Sequence, residues 1–408
     1  MVGEILCILI FLSGGVMSVR TRLVQRKLNF SAVLEKKGEG EISAFGALCT
    51  TLAATLGTGN IVGVAGAVML GGPGALLWML VSAFFGMALK YAECFLGAKT
   101  RRRGEGGPYV YIENRFGKGL ARLYALCGAA AGALTMGTTL QTDSMIGVLD
   151  PARGRASFLI CAAVAVLAGW VLWGGAKGIS SFCEKIIPVM SAAYILCCAA
   201  ILWRFRAELP AALWSILKGA FCPAAVLGGT AGSLIRTLSV GVSRGVFSNE
   251  AGLGSAAIAA AASGGSPHSQ GLVAMSGVFL DTVVMCTLTG LCVVVTGAEG
   301  SGSAVAGETF RLGLGNQSVG LLSAFLILFA FTTVVGWYFF GSACFRYLTG
   351  GRWEKGYRLF YIGMLLVTPL VQSDRLWMLA DILNLTMALP NLTALLFTKN
   401  CIDLDDKL

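Results

Sequence analysis

SVGLLSAFLILFAFTTVV, residues 318–335, runs for eighteen positions without a charged side chain. As a helix rising 1.5 Å per residue it covers about 27 Å, close to the thickness of a bilayer's hydrocarbon core. A barrel strand is about 10 residues long and alternates in polarity; this stretch is longer and does not alternate. The composition around it agrees. Of 408 residues, 56% are hydrophobic and 13% charged, where a soluble domain carries about 25% charged residues. The mean hydropathy is +0.76. A chain this poor in charge cannot cover a water-facing surface, so its solvent is lipid. There every backbone polar group must be satisfied internally, and long apolar runs do so as helices. The fold class is all-α, a polytopic membrane protein.

Working outward from residues 318–335, eleven segments reach the length and apolarity of a span. They are 2–19, 44–71, 75–97, 120–148, 156–173, 185–203, 229–263, 271–297, 318–345, 357–372 and 376–398. The tenth is short, and the seventh is too long for one straight helix. The only leading charge of the first segment is Glu4, and Arg20, Arg22, Arg26 and Lys27 follow it, so it does not read as a signal peptide. The positive-inside rule puts those basic residues in the cytoplasm and the N-terminus outside. With that choice, cytoplasmic loops and span edges hold 21 of the 31 Lys and Arg, and the external ones hold 7. The expected location is the cell membrane, multi-pass, N-terminus out and C-terminus in. The net charge of +10 is then a property of cytoplasmic loops, with no call for nucleic acid as a partner.

Two segments are locally unsuited to plain helices. One holds Gly57-Thr58-Gly59-Asn60; the other holds Arg244-Gly245 and Phe247-Ser248-Asn249-Glu250-Ala251-Gly252-Leu253-Gly254. Glycine costs up to about 1 kcal/mol in a helix interior, and Asn and Ser compete for backbone hydrogen bonds. The two segments lie five helices apart. That spacing fits a 5+5 inverted repeat whose first helices are broken near the midplane, with half-helix ends free to hold a carboxylate and a cation. The domains follow: 1–43, an N-terminal helix and basic loop; 44–203, the first repeat; 204–228, an external loop; 229–398, the second repeat; 399–408, a tail. The loop carries a short amphipathic helix within Glu208 to Gly229.

Other chemistry is scarce. Thirteen cysteines are scattered with no CxxC pair, and the single histidine, His268, lies in a Gly/Ser/Pro loop. The cysteines read as small reduced hydrophobes, neither a disulfide framework nor a metal site, and one loop histidine offers no catalytic cluster, which argues against an enzyme. No series of polar residues marks a pore, which argues against a channel. Lys90 and Glu93 read as a snorkelling or paired couple near a helix end. Asp281 should face the bundle interior. Arg244 and Glu250 either pair with each other or lie near the cytoplasmic end.

In order along the chain, GTGNIVGVAGAVMLGGPGALLWM (57–79), FFGMALKYAE (84–93), GGAKGI with EKIIP (174–188), RGVFSNEAGLGSA (244–256), QGLVAMSGVFLDT (270–282), FAFTTVVGW (329–337) and MALPNL (387–392) resemble the alanine or glycine:cation symporter family, the bacterial sodium:alanine symporters. The resemblance implies a LeuT-type core of ten helices behind one extra N-terminal helix. It implies import of a small neutral amino acid, alanine or glycine, driven by Na⁺ as coupling ion, with no other cofactor. Carried over, Gly57, Thr58, Gly59 and Asn60 line the substrate, with Gln141, Gly241, Phe247, Ser248 and Asn249. Trp337 is a gate or pocket wall, and Thr332 and Thr333 offer hydroxyls to Na⁺. Departures stand at Asp143, where relatives carry Asn, at Ala257 and Ala260 in place of Pro and His, and at Ser342 in place of Glu. Asp143 keeps two alternatives open: a charge beside the substrate, favouring proton coupling or a cationic substrate, or a solvated carboxylate at the outer mouth. A proton-coupled carrier of another small amino acid, and a sensor on the same fold, are the alternative functions.

Overall fold

A computed structural model describes residues 2–34, 40–102, 105–221, 234–300, 302–371 and 373–398. The described residues are almost wholly helical. In chain order the helices are α1 Val2–Arg20, α2 Ala44–Thr55, α3 Val62–Gly71, α4 Ala75–Lys99, α5 Pro108–Phe116 and α6 Lys118–Ala130. There follow α7 Thr139–Leu149, α8 Ala156–Trp173, α9 Gly175–Arg204, α10 Leu209–Phe221, α11 Leu234–Asn249 and α12 Ser255–Ser263. The last are α13 Pro267–Val278, α14 Thr287–Thr296, α15 Ser303–Leu314, α16 Ser318–Thr349, α17 Glu354–Val367 and α18 Ser373–Phe397.

Among the described residues seven helices are long and apolar enough to cross a membrane, or eight when the bent pair α2 and α3 counts as one span. The expectation of eleven is not reached on that test. Helix is present in all eleven segments, but α17 has only fourteen residues and α11 and α12 are interrupted. The expected loop helix is α10. Residues 222–233, where the loop meets the seventh segment, lie outside the described residues, as does the tail 399–408.

Two of the long spans contain π-helical turns. Ala131–Met136 joins α6 to α7, and Phe279–Cys286 joins α13 to α14. A π turn adds a residue per turn and re-aims the side chains around it. The hydroxyls of Thr138 and Thr139 reach back five residues to the carbonyls of Ala133 and Leu134, at 2.7 and 2.6 Å.

The centre of the bundle is α4, packed against α1, α11, α12 and α13. This corrects the expectation for Lys90 and Glu93. They do not snorkel, because α4 is enclosed on that face; their exposures are 1% and 0%. Close packing is set by small residues, as expected for helices in lipid. A Cβ at Gly336 of α16 would fall 2.6 Å from the backbone nitrogen of Ala54 in α2, so only glycine lets these helices touch. The periphery is the reverse. Only 28% of the apolar window of α9 is buried, and Leu159, Val166, Trp170, Val189, Leu196 and Trp203 face outward. An apolar surface of that extent has lipid as its solvent. The described cysteines are free thiols, most of them buried.

Candidate functional site

Both expected breaks are present. After α2, Gly57 is extended (φ −125°, ψ −162°), Thr58–Asn60 form one 3-10 turn, and α3 leaves at 66° to α2. Asn60 Oδ1 accepts the Gly57 N–H at 3.0 Å, replacing a helical bond with a side-chain one. The second break lies after α11. Glu250, Gly252 and Gly254 take left-handed φ values of 53°, 92° and 78°. Two of the three are glycines, which accept this conformation freely. Glu250 does not, and a non-glycine held there marks strain at a functional position. Asn249 Oδ1 accepts the Ala251 N–H at 3.0 Å, closing the turn.

The two breaks are tied to each other through Asp281, in the π turn after α13. Its carboxylate accepts from Asn60 Nδ2, Ser248 Oγ and Thr282 Oγ1, each at 2.8 Å. Asn60 Nδ2 also reaches Ser248 Oγ at 2.9 Å, and Asn249 Nδ2 reaches Thr282 Oγ1 at 3.2 Å. The carboxylate is 1% exposed. Burying an acid with only neutral donors around it is costly in a membrane, and the arrangement makes one acid the common anchor of three chain segments.

Between the breaks lies a small cavity, about 20 Å³ at the centre of a water-sized sphere. One water needs about 10–15 Å³ on that measure, so the cavity as it stands has room for about one water and would widen to take an amino acid. Gly57, Thr58, Gly59, Gln141, Phe247, Ser248 and Thr333, all expected here, line it. Asn60 and Asn249 sit behind the wall in the Asp281 network. Gly241 packs instead on α4, where a Cβ would fall 2.3 Å from the Ala75 carbonyl oxygen. Trp337 is fully buried off the wall and donates its indole N–H to Glu250 Oε1 at 2.9 Å. The tryptophan on the wall is Trp377 of α18, 5.4 Å centroid to centroid from Phe247. A larger cavity, about 80 Å³, opens near the C-terminal end of α16, beside the Arg346–Glu354 pair. It contains none of the broken-helix residues, so the smaller one is the candidate site.

Thr332 and Thr333 both donate to the Phe329 carbonyl, at 3.0 and 2.9 Å. This helical back-bonding turns the hydroxyl protons inward and leaves oxygen lone pairs available. Thr333 Oγ1 also stands 3.5 Å from the carbonyl oxygen of Leu56, where α2 ends. Hydroxyl and peptide oxygens of this kind are the hard ligands a small cation takes. Gln141 donates from Nε2 to the Met136 carbonyl at 3.2 Å, while its buried Oε1 has no partner.

Glu250 and Arg244 do not pair. The Glu250 carboxylate takes Trp337 Nε1 and, at 2.6 Å, Ser255 Oγ, while the charge facing Arg244 is Asp381. Asp143 does not line the cavity; it pairs with Arg153 at 2.8 Å in the turn between α7 and α8. Asp143→Asn is therefore expected to leave substrate uptake and its pH profile unchanged, as measured in reconstituted vesicles between pH 5 and 8. The site residues missed from sequence are Glu250, Asp281, Met136 and Trp377. For the two acids, location inside an apolar segment was the usable signal.

The sequence matches the model of the sodium:alanine symporter family over residues 1–403. It is 40% identical over 403 residues to the sodium/alanine symporter AgcS of Methanococcus maripaludis, covering 94% of this chain and 87% of the relative. It is 42% identical over 392 residues to an uncharacterized transporter of Haemophilus influenzae, covering 93% and 86%. Among solved structures it is similar to MhsT in complex with L-phenylalanine, with a TM-score of 0.57 at 16% identity, over 88% of this chain and 89% of that one. This last likeness speaks to the fold alone, which is LeuT-type.

Proposed function

The chain belongs to the sodium:alanine symporter family, and from that premise we propose that it imports a small neutral amino acid, alanine or glycine, by symport with Na⁺. Supporting this reading above all is one observation: residues of both helix breaks line one small cavity, and Thr333 on its wall also stands 3.5 Å from the carbonyl oxygen of Leu56 at the end of α2. Na⁺ would be held by the hydroxyl oxygens of Thr332 and Thr333 and the carbonyl of Leu56. The substrate carboxylate would lie against the Gly57-Thr58-Gly59 turn, where α3 begins and its peptide dipoles favour negative charge. Phe247 and Trp377 would close the apolar side. Occupying both subsites together gives obligate coupling, because each ligand organises the same break in α2 and α3. The N-terminus would be external and the C-terminus cytoplasmic.

The cavity's size supplies the test of substrate class. In vesicles taking up radiolabelled alanine under a Na⁺ gradient, unlabelled alanine, glycine and serine are expected to compete. Leucine and phenylalanine should not compete at tenfold higher concentration, since about three and six extra carbons do not fit without moving the walls further. Equal competition by phenylalanine would reject the compact site.

A further inference from the structure

We propose that Glu250 is the group that receives the substrate's α-ammonium, with Gln141 Oε1 as the second acceptor. The inference rests on the reading of the cavity as an amino-acid site and assigns the cation-recognising end of it. Glu250 lies on the cavity wall and is 1% exposed. Its two hydrogen-bond donors, the Trp337 indole and the Ser255 hydroxyl, are both neutral. No ion pair formed among the described residues includes it. Lys90 is within electrostatic reach but makes no such pair, and its ammonium has no hydrogen-bond partner. A carboxylate taken out of water needs both a cation and filled lone pairs. Two neutral donors fill part of that requirement and fix the plane of the group; among the described residues no cation is hydrogen-bonded to it.

Gln141 adds an independent observation. Its amide is oriented by the bond from Nε2 to Met136, which leaves Oε1 as a buried acceptor, 6% exposed and unpartnered, on the same wall. A primary ammonium brings three donors; Glu250 retains acceptor capacity beside its two neutral donors, and Gln141 Oε1 has no donor. The competing occupant is the coupling metal ion. The threonine oxygens and the Leu56 carbonyl already offer that ion a neutral hard-oxygen site, whereas Glu250 and Gln141 together suit a donor with N–H bonds. The strained left-handed φ of Glu250 follows from this arrangement: it places a charged side chain in a turn that glycine would otherwise occupy.

Trp337 provides a reporter, because its N–H is bonded to the carboxylate in question. Full-length protein labelled with 5-fluorotryptophan carries eight such residues, and the Trp337 resonance is assigned by its loss in Trp337→Phe. Saturating alanine with Na⁺ is expected to shift that resonance, and Na⁺ alone to leave it in place. An unmoved resonance at saturating alanine would overturn the assignment, and so would the full shift with Na⁺ alone, which would put the metal at Glu250. Glu250→Gln keeps an acceptor for Trp337 and removes the charge. Its dissociation constant for alanine is expected to rise about 30-fold or more, the lower range for removing one partner of a buried charge pair. Wild-type affinity in that variant would also overturn the proposal. Failure of the wild type to bind alanine at all is a different result: it removes the amino-acid reading on which the proposal stands.

Discussion

Thr333→Ala is expected to cut accumulation of alanine sharply under a Na⁺ gradient, while Thr333→Ser restores it. The hydroxyl is the only side-chain oxygen of α16 that both faces the cavity and approaches the end of α2, 3.5 Å from the Leu56 carbonyl. Removing it takes away one hard-oxygen ligand from the cavity wall. The half-saturating Na⁺ concentration should rise about tenfold or more, the equivalent of roughly 1.4 kcal/mol. Serine keeps the oxygen and its back-bond to Phe329, so it separates the loss of a ligand from a change in packing. Uptake as a function of Na⁺, in vesicles matched for protein content, measures both. An alanine variant with unchanged Na⁺ dependence would remove the cation from this position.

Asp281→Ala has the largest expected effect on the protein as a whole. It deprives Asn60, Ser248 and Thr282 of a shared acceptor in a place that water cannot reach. Hydrogen bonds between membrane helices are worth about 0.6–1.7 kcal/mol each, so the three together predict a loss of about 2–5 kcal/mol. Transport should be lost even in the fraction that stays folded, because Asn60 also holds the Gly57 N–H that shapes the first break. Asp281→Asn retains one acceptor oxygen but turns an NH₂ group toward donors, so it should fall between the two. Thermal unfolding in detergent gives the stability term, and uptake per folded molecule gives the other. A stable Asp281→Ala protein with full transport would mean that the network is incidental to the site.

Most of the fold was legible because membrane helices declare themselves by length. Residues 318–335 need no partner to be read as a span, since lipid leaves the backbone no other way to satisfy its polar groups. The first break was legible for a local reason: Gly57, Gly59 and Asn60 together disfavour a continuous helix. The second was harder to place, because several weak helix formers lie between Arg244 and Gly254. What decides it is Asn249 bonding to Ala251 and the glycines after it. Which side chains face the cavity was only partly legible. Trp337 packs behind the wall and Trp377 forms part of it, and that depends on the rotation of α16 and α18 within the bundle. Asn60 and Asp281 are 221 residues apart, and nothing local pairs them. Lys90 looked like a helix-end lysine because the partners that enclose α4 come from four other helices.

The measurement that bears most directly on the whole account is radiolabelled alanine uptake into vesicles containing the wild-type protein, with an inward Na⁺ gradient and with K⁺ in its place. Concentrative uptake that requires Na⁺ and collapses when the gradient is dissipated is the result expected of this site. Uptake of equal extent in K⁺, or driven by a proton gradient alone, would contradict it.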